Sequence, residues 1–241
     1  MTLPVAIVAG GLATRLGDVA RDLPKSLVEI AGDPFIVWQL KLLRRNGVTD
    51  VVVCTGHLGA QIEAAVGDGA RWNVSVRYSS DGPGPLGTGG AVRRARALLG
   101  EAFFVLYGDS YLECDYREAA RRFEMSGRCG LMTVFRNEGR WDRSNVEYAG
   151  GRLLRYDKKR QVPSMRHIDY GLGVFRASAF DRYEEDAAVD LATVYQDLLA
   201  AGELAAYEVT SRFYEVGTPE GLEETRRHLG YAEHKPCPSS S

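Results

Sequence analysis

The sequence predicts an α/β fold, three layers deep, in which helices cover both faces of a mostly parallel central sheet. Three observations carry that expectation. Strand-like and helix-like segments alternate through the first 127 residues. The strand candidates "PVAIVA" (4–9), "DVVVCTG" (50–56) and "AFFVLYGDS" (102–110) are continuous apolar runs, as expected where both faces are buried. The first and third of these runs end at glycine, Gly10-Gly11 and Gly108, and in open parallel sheets ligands bind beyond the carboxyl ends of strands.

Each element has a local reason. After Asp33 a helix starts with Pro34 at its first position, where a missing N–H costs nothing, and Ile36, Leu40 and Leu43 share one face. "AQIEAAV" (60–66) reads as a short helix and "VSVRY" (74–78) alternates like a strand. Glycine and proline fill 81–90, and helical spacing resumes over 91–99. Asp115 and Glu118 form a capping box for a helix burying Tyr116, Ala119, Ala120 and Phe123.

The second half has more strands and fewer helices: "GLMTVF", "NVEYAGGRLLRY" and "IDYGLGVF", the middle one a hairpin turning at "AGG" (149–151). A helix over 191–200 follows Asp190 and buries Leu191, Val194, Tyr195, Leu198 and Leu199. "LAAYEV" leads to "FYEVGTPEGL" and a last helix, and a small antiparallel section is expected within this half. No repeat and no linker interrupts the pattern, so residues 1–230 read as one domain, with 1–127 and 128–230 as its halves and 231–241 as a disordered tail.

Composition narrows the function. Apolar residues make up 45% and charged residues 26% of 241, which supports a real core. A net charge of -2 supplies no general field for a polyanion, against a nucleic-acid partner. Cys54, Cys114, Cys129 and Cys237 lack metal-ligand spacing and read as free thiols of a reducing compartment. The start "MTLPVAIVAGG" has no basic leader and too short an apolar run to span a bilayer, so the expectation is a cytoplasmic protein without a membrane partner. Assembly with identical copies stays open.

The segment 10–25 is long and patternless, the kind of loop that is usually functional. Gly10 and Gly11 let backbone N–H groups approach a phosphate or a base edge, and Arg15 and Lys25 supply two cations for a polyphosphate. The loop lacks the ending of a P-loop and does not read G-x-G-x-x-G, so kinase and dehydrogenase readings lose ground. A glycine turn with two solvated cations is the plain alternative. Asp109 follows a strand ending in Gly108. A lone Asp there is most often a turn or cap, but beside a phosphate site it suits Mg²⁺, with Glu215 as the second acid.

"AGGLATRLGDVARDLPKSL" resembles the signature of the sugar-1-phosphate nucleotidylyltransferases, roughly G-G-x-G-T-R-L followed by P-K-P-L. "GDPFIVWQLKLLRRNGVTDVVVCTG", "LGTGGAV", "LYGDS" and "YEVGTPEG" follow in the family's order, so the resemblance covers nearly the whole chain. Ala13 departs from the family's glycine, Ser26 from its second proline, and Glu215 from its aspartate.

The resemblance implies a Rossmann-like nucleotidyltransferase fold of GT-A-like form, with Arg15, Lys25 and Asp109 catalytic and Mg²⁺ on Asp109 and Glu215. It implies that Ala9, Gly10, Gly11, Gly87 and Thr88 lie against the nucleotide, and Asp81 is offered as an acceptor for guanine. Asn145, Asp157, Lys158, Asp169, Tyr170 and Gly171 would bind the sugar phosphate, the second half thus serving the sugar. The partners implied are a nucleoside triphosphate and a sugar 1-phosphate, closest in appearance to the heptose- and mannose-1-phosphate guanylyltransferases of bacteria. Uridylyl or thymidylyl transfer to a hexose or N-acetylmuramate 1-phosphate is one alternative. A GT-A glycosyltransferase and a non-catalytic nucleotide-binding regulator are others.

Overall fold

The computed structural model describes residues 2–11 and 23–233, leaving aside the side chains of 231–233. In its first half the elements are β1 (Val5–Val8), β2 (Glu29–Ile30), β3 (Asp33–Pro34), α1 (Phe35–Arg45), β4 (Asp50–Thr55) and α2 (Gly59–Val66). Then come β5 (Ser75–Ser80), α3 (Gly87–Leu99), β6 (Ala102–Tyr107), β7 (Ser110–Leu112) and α4 (Tyr116–Ser126). The second half holds β8 (Gly130–Arg136), β9 (Val146–Ala149), β10 (Arg152–Tyr156) and β11 (His167–Arg176). After these stand α5 (Leu191–Ala200), β12 (Leu204–Val209), β13 (Phe213–Glu215) and α6 (Pro219–Glu233).

Nine strands form one sheet in the order β10-β9-β11-β6-β1-β4-β5, with β8 beside β11 and β12 beside β8. The centre is parallel: β1 pairs with β4 and β6, and β4 with β5. β11 joins it antiparallel to β6, so the second half extends the same sheet. Successive central residues feed opposite cores. Val5, Ile7, Val51, Val53, Phe104 and Leu106 pack on one face with α1 and α4. Ala6, Val52, Cys54, Phe103 and Val105 pack on the other with α3 and α5. The continuous apolar runs are thus doubly covered strands, as their composition predicts.

Several boundaries differ from expectation. Pro34 is the cap of α1 and not its first helical residue. Of the capping box, the Asp115 half forms, its carboxylate accepting from Glu118 N at 3.0 Å; the Glu118 side chain instead pairs with Arg121 and Arg122. Ala120 and Leu199 are only partly buried. The largest difference is α3, which begins at Gly87 and takes in the glycine run. Its first turn is fixed from outside: Gly89 N and Gly90 N both donate to Val189 O, at 2.8 and 3.1 Å, and Val189 N donates to Leu86 O at 2.8 Å. A tertiary backbone clasp overrides weak local propensity there.

Candidate active site

β1 and β6 are parallel neighbours whose last residues, Val8 and Tyr107, are in register, so Ala9–Gly11 and Gly108–Asp109 leave the sheet at one edge. A Cβ on Gly108 would sit 2.8 Å from Ala9 Cα, so the two strand ends touch backbone to backbone. Around them lies a cleft of about 330 Å³, at the small end of the range for a small-molecule site. Gly10, Gly11, Lys25, Asp81, Gly87 and Asp109 are among its lining residues. Among the described residues nothing stands within 4 Å of where a Gly11 side chain would begin. Arg15 lies outside the described residues.

Lys25 and Asp109 meet. Lys25 Nζ donates to Asp109 Oδ2 at 3.1 Å, both side chains being partly exposed. Glu215, at the end of β13, reaches the same place through the pairing of β13 with β7, which sets Glu215 opposite Ser110. Val216 N donates to Asp109 O at 2.9 Å and ties the two segments together. One point summarises the convergence. Where a Cβ on Gly217 would stand, Glu215 Oε2 is 2.5 Å away, Asp109 Oδ2 3.4 Å and Lys25 Nζ 3.5 Å. Asp109 lines the cleft and Glu215 stands behind it, a pair of carboxylates that suits a hard divalent cation completing its shell with phosphate and water. Among the described residues no group of three metal-ligating side chains forms.

Sequence reasoning overlooked Gln39. It is fully buried on α1, and its Nε2 donates to Tyr107 O at 2.9 Å and Ser110 O at 2.8 Å, bracketing the bend that presents Asp109. The signal was available: a lone amide on the apolar face that also carries Ile36, Leu40 and Leu43.

Asp81 is buried at the cleft wall, where Leu86 N donates to its Oδ2 at 3.3 Å. It is not a surface turn. Burial pushes its carboxyl above the usual range, opposed by the Leu86 N–H bond and Arg94. Cys54, also on the wall, is an inert thiol pushed up to about 12, mainly by burial. Thr88 does not cap its own helix. Its Oγ1 accepts from Leu191 N at 2.8 Å, in the first turn of α5.

The second-half residues divide. Asn145 Oδ1 accepts from Asp169 N at 2.9 Å, and the Asp169 carboxylate accepts from Tyr156 Oη at 3.2 Å and Gly171 N at 3.1 Å. Lys158 Nζ stands 3.9 Å from Asp169 Oδ2 and 5.3 Å from the centre of the Tyr107 ring, which lines the cleft. Gly171 takes a φ of 101° where β11 slips register against β8, and a Cβ there would be 3.6 Å from Tyr107. Asp157 turns aside: its Oδ1 accepts from Lys159 N and Arg160 N, and these bonds hold its carboxyl below the usual range. Tyr170 faces the opposite side of β11, buried against Phe135 and Phe213. The structure therefore brings Asn145, Lys158, Asp169 and Gly171 together and leaves Tyr170 in the core.

The family model described as Nucleotidyl transferase matches residues 5–230. An N-acetylmuramate alpha-1-phosphate uridylyltransferase of Neisseria meningitidis serogroup B is 28% identical over 237 residues, covering 93% of this chain and 97% of that one. The mannose-1-phosphate guanyltransferase beta-B of Xenopus laevis is 27% identical over 220 residues; the match covers 89% of this chain but 61% of the longer relative. Among solved structures, HddC from Yersinia pseudotuberculosis complexed with GMP-PN superposes with a TM-score of 0.78. It is 24% identical and the match covers 95% of this chain and 100% of that one, a likeness of fold.

Proposed function

Because the chain belongs to the nucleotidyl transferase family, we propose that it joins a nucleoside triphosphate to a sugar 1-phosphate, with GTP and a heptose or hexose 1-phosphate as substrates. A phosphate oxygen of the sugar 1-phosphate attacks the α-phosphorus of the triphosphate. The new P–O bond makes the nucleotide sugar, and the α–β bridge breaks to release pyrophosphate. The second pKa of a phosphate monoester is about 6, so the attacking group is already dianionic near neutral pH and needs no general base.

The observation that carries this reading is the meeting of Lys25, Asp109 and Glu215 around one point at the sheet edge. Lys25 would neutralise the triphosphate, with Arg15 assigned the same task from sequence alone. Asp109 and Glu215 would hold Mg²⁺, which when bound supplies charge neutralisation on phosphate oxygens. Lys158, steered by Asp169, would orient the attacking phosphate, and Asn145 and Gly171 would border the sugar. Catalysis on this reading is placement and preorganised charge. Asp81 would accept from the N1–H and exocyclic amine of guanine.

The relative matched almost end to end is a uridylyltransferase. Uridylyl transfer to N-acetylmuramate 1-phosphate is therefore the second reading. A matrix of four triphosphates against mannose, glucose, heptose and N-acetylmuramate 1-phosphates, read by pyrophosphate release, separates the two. Release with GTP and a heptose or hexose phosphate is the expected result. Release confined to UTP replaces it with the second reading, and no release with any pair overturns both.

A further inference from the structure

Glu215 is one methylene longer than the aspartate of the resembling family, and the structure shows where that length goes. The side chain folds back over the start of α6: Oε2 accepts from Gly217 N at 2.9 Å and Oε1 accepts from Thr218 Oγ1 at 2.7 Å. The buried Thr225 hydroxyl lies 2.9 Å from Glu215 O and 2.7 Å from Gly221 O, so its one proton is shared between the carbonyls of these two residues. The folded carboxylate occupies space that a side chain at 221 would claim. A Cβ on Gly221 would lie 2.3 Å from Glu215 Oε1, 2.8 Å from Glu215 O and 2.9 Å from Glu215 Cδ.

Real Cβ atoms do not approach so closely. Gly221 does not have the left-handed backbone that calls for glycine, since its φ lies outside the positive range. It stands inside a helix, where glycine is a poor choice. Space for Glu215, for its carbonyl oxygen as well as its carboxylate, is the physical reason left for it.

We propose that Gly221 is a positioning residue paired to Glu215: its missing side chain is the seat into which the longer acid withdraws, so that Oε2 faces Asp109 and Lys25. This rests on the divalent-cation role given to Glu215 above. A shorter acid would not need the seat, so the two positions should be coupled.

The test is a cycle of Gly221→Ala, Glu215→Asp and the double variant, read by thermal unfolding and by Mn²⁺ binding in the presence of GTP. Gly221→Ala is expected to lower the melting temperature by at least about 4 °C and to weaken Mn²⁺ binding about tenfold. Adding Glu215→Asp should restore the part of both losses that the carboxylate causes, the contact with the residue 215 carbonyl remaining. If Gly221→Ala alone does not fold, Glu215→Ala with and without Gly221→Ala replaces it. With the carboxylate gone and only the residue 215 carbonyl left close, alanine at 221 should then give a folded protein that melts somewhat below Glu215→Ala alone. A double variant no better than Gly221→Ala, or the same effect of Gly221→Ala in every background, overturns the pairing. Wild-type protein that binds no Mn²⁺ with any triphosphate overturns the cation role instead, while coupled melting temperatures would still uphold the seat.

Discussion

Two glycine-rich segments border the cleft, and they use the same residue for opposite ends. At 10–11 one glycine leaves room: among the described residues Gly11 has nothing within 4 Å of where a side chain would begin, while a Cβ on Gly10 would lie 3.4 Å from the Gly56 backbone. At 87–90 the glycines are crowded. A Cβ would meet Val189 O at 2.6 Å from Gly87 and 3.1 Å from Gly89, and Ala187 O at 2.7 Å from Gly90. The first segment keeps space for a ligand, and the second lets two stretches of backbone touch. Composition alone does not separate these cases; what stands opposite the glycine does.

That contrast can be broken or sharpened by substitution. The largest expected effect is on the open side, where Lys25→Ala should cost about 10²–10³ in turnover. Its melting temperature should hardly move, because the ion pair with Asp109 is partly exposed and such pairs contribute little to stability. Steady-state pyrophosphate release beside a thermal melt checks both, and a large joint loss would erase the distinction. Gly90→Ala should show the reverse pattern: overpacking against backbone costs about 1–3 kcal/mol, visible as a melting point lower by several degrees.

Gly11→Ala is the sharper probe. Stability should be unchanged within error, while the KM for the triphosphate rises about tenfold if a phosphate or base comes close to that backbone. An unchanged KM would mean that the open space serves no ligand.

Asp81→Asn is expected to have the smallest effect overall. The folded state raises the Asp81 pKa, so it binds the proton more tightly than the unfolded chain does. Stability from this group is therefore greatest below its unfolded pKa and falls as pH rises through the folded value. The asparagine variant should lose that slope, melt no lower than wild type at pH 7, and favour GTP less over UTP. Melts across pH 3–8 and competition between the two triphosphates would show it.

Much of the fold was legible because it rests on local pattern. β1, β4 and β6 announce themselves by apolar runs, and the hairpin between β9 and β10 by Gly150 and Gly151, both at positive φ. What sequence missed was set at long range. The start of α3 depends on a carbonyl a hundred residues away, and Thr88 serves a helix other than its own. Tyr170 differs in kind: strand alternation sets it opposite Asp169, against Phe135 and Phe213, whereas the resemblance implies a place beside the sugar. Gln39 was readable as a polar intruder on an apolar helix face, but its two carbonyl partners belong to a bend that only the folded chain creates.

The clasp between α3 and the segment before α5 is made from main-chain atoms on both sides: amides of Gly89 and Gly90 on the carbonyl of Val189, and the amide of Val189 on the carbonyl of Leu86. Heredity can therefore act on its two partners unequally. The exposed side chain at 188 is free to drift and that of Val189 need only stay apolar to keep its core contact, whereas the facing glycines can accept almost no replacement. Variation among descendants of this chain should gather on one side of that contact and stay away from the other.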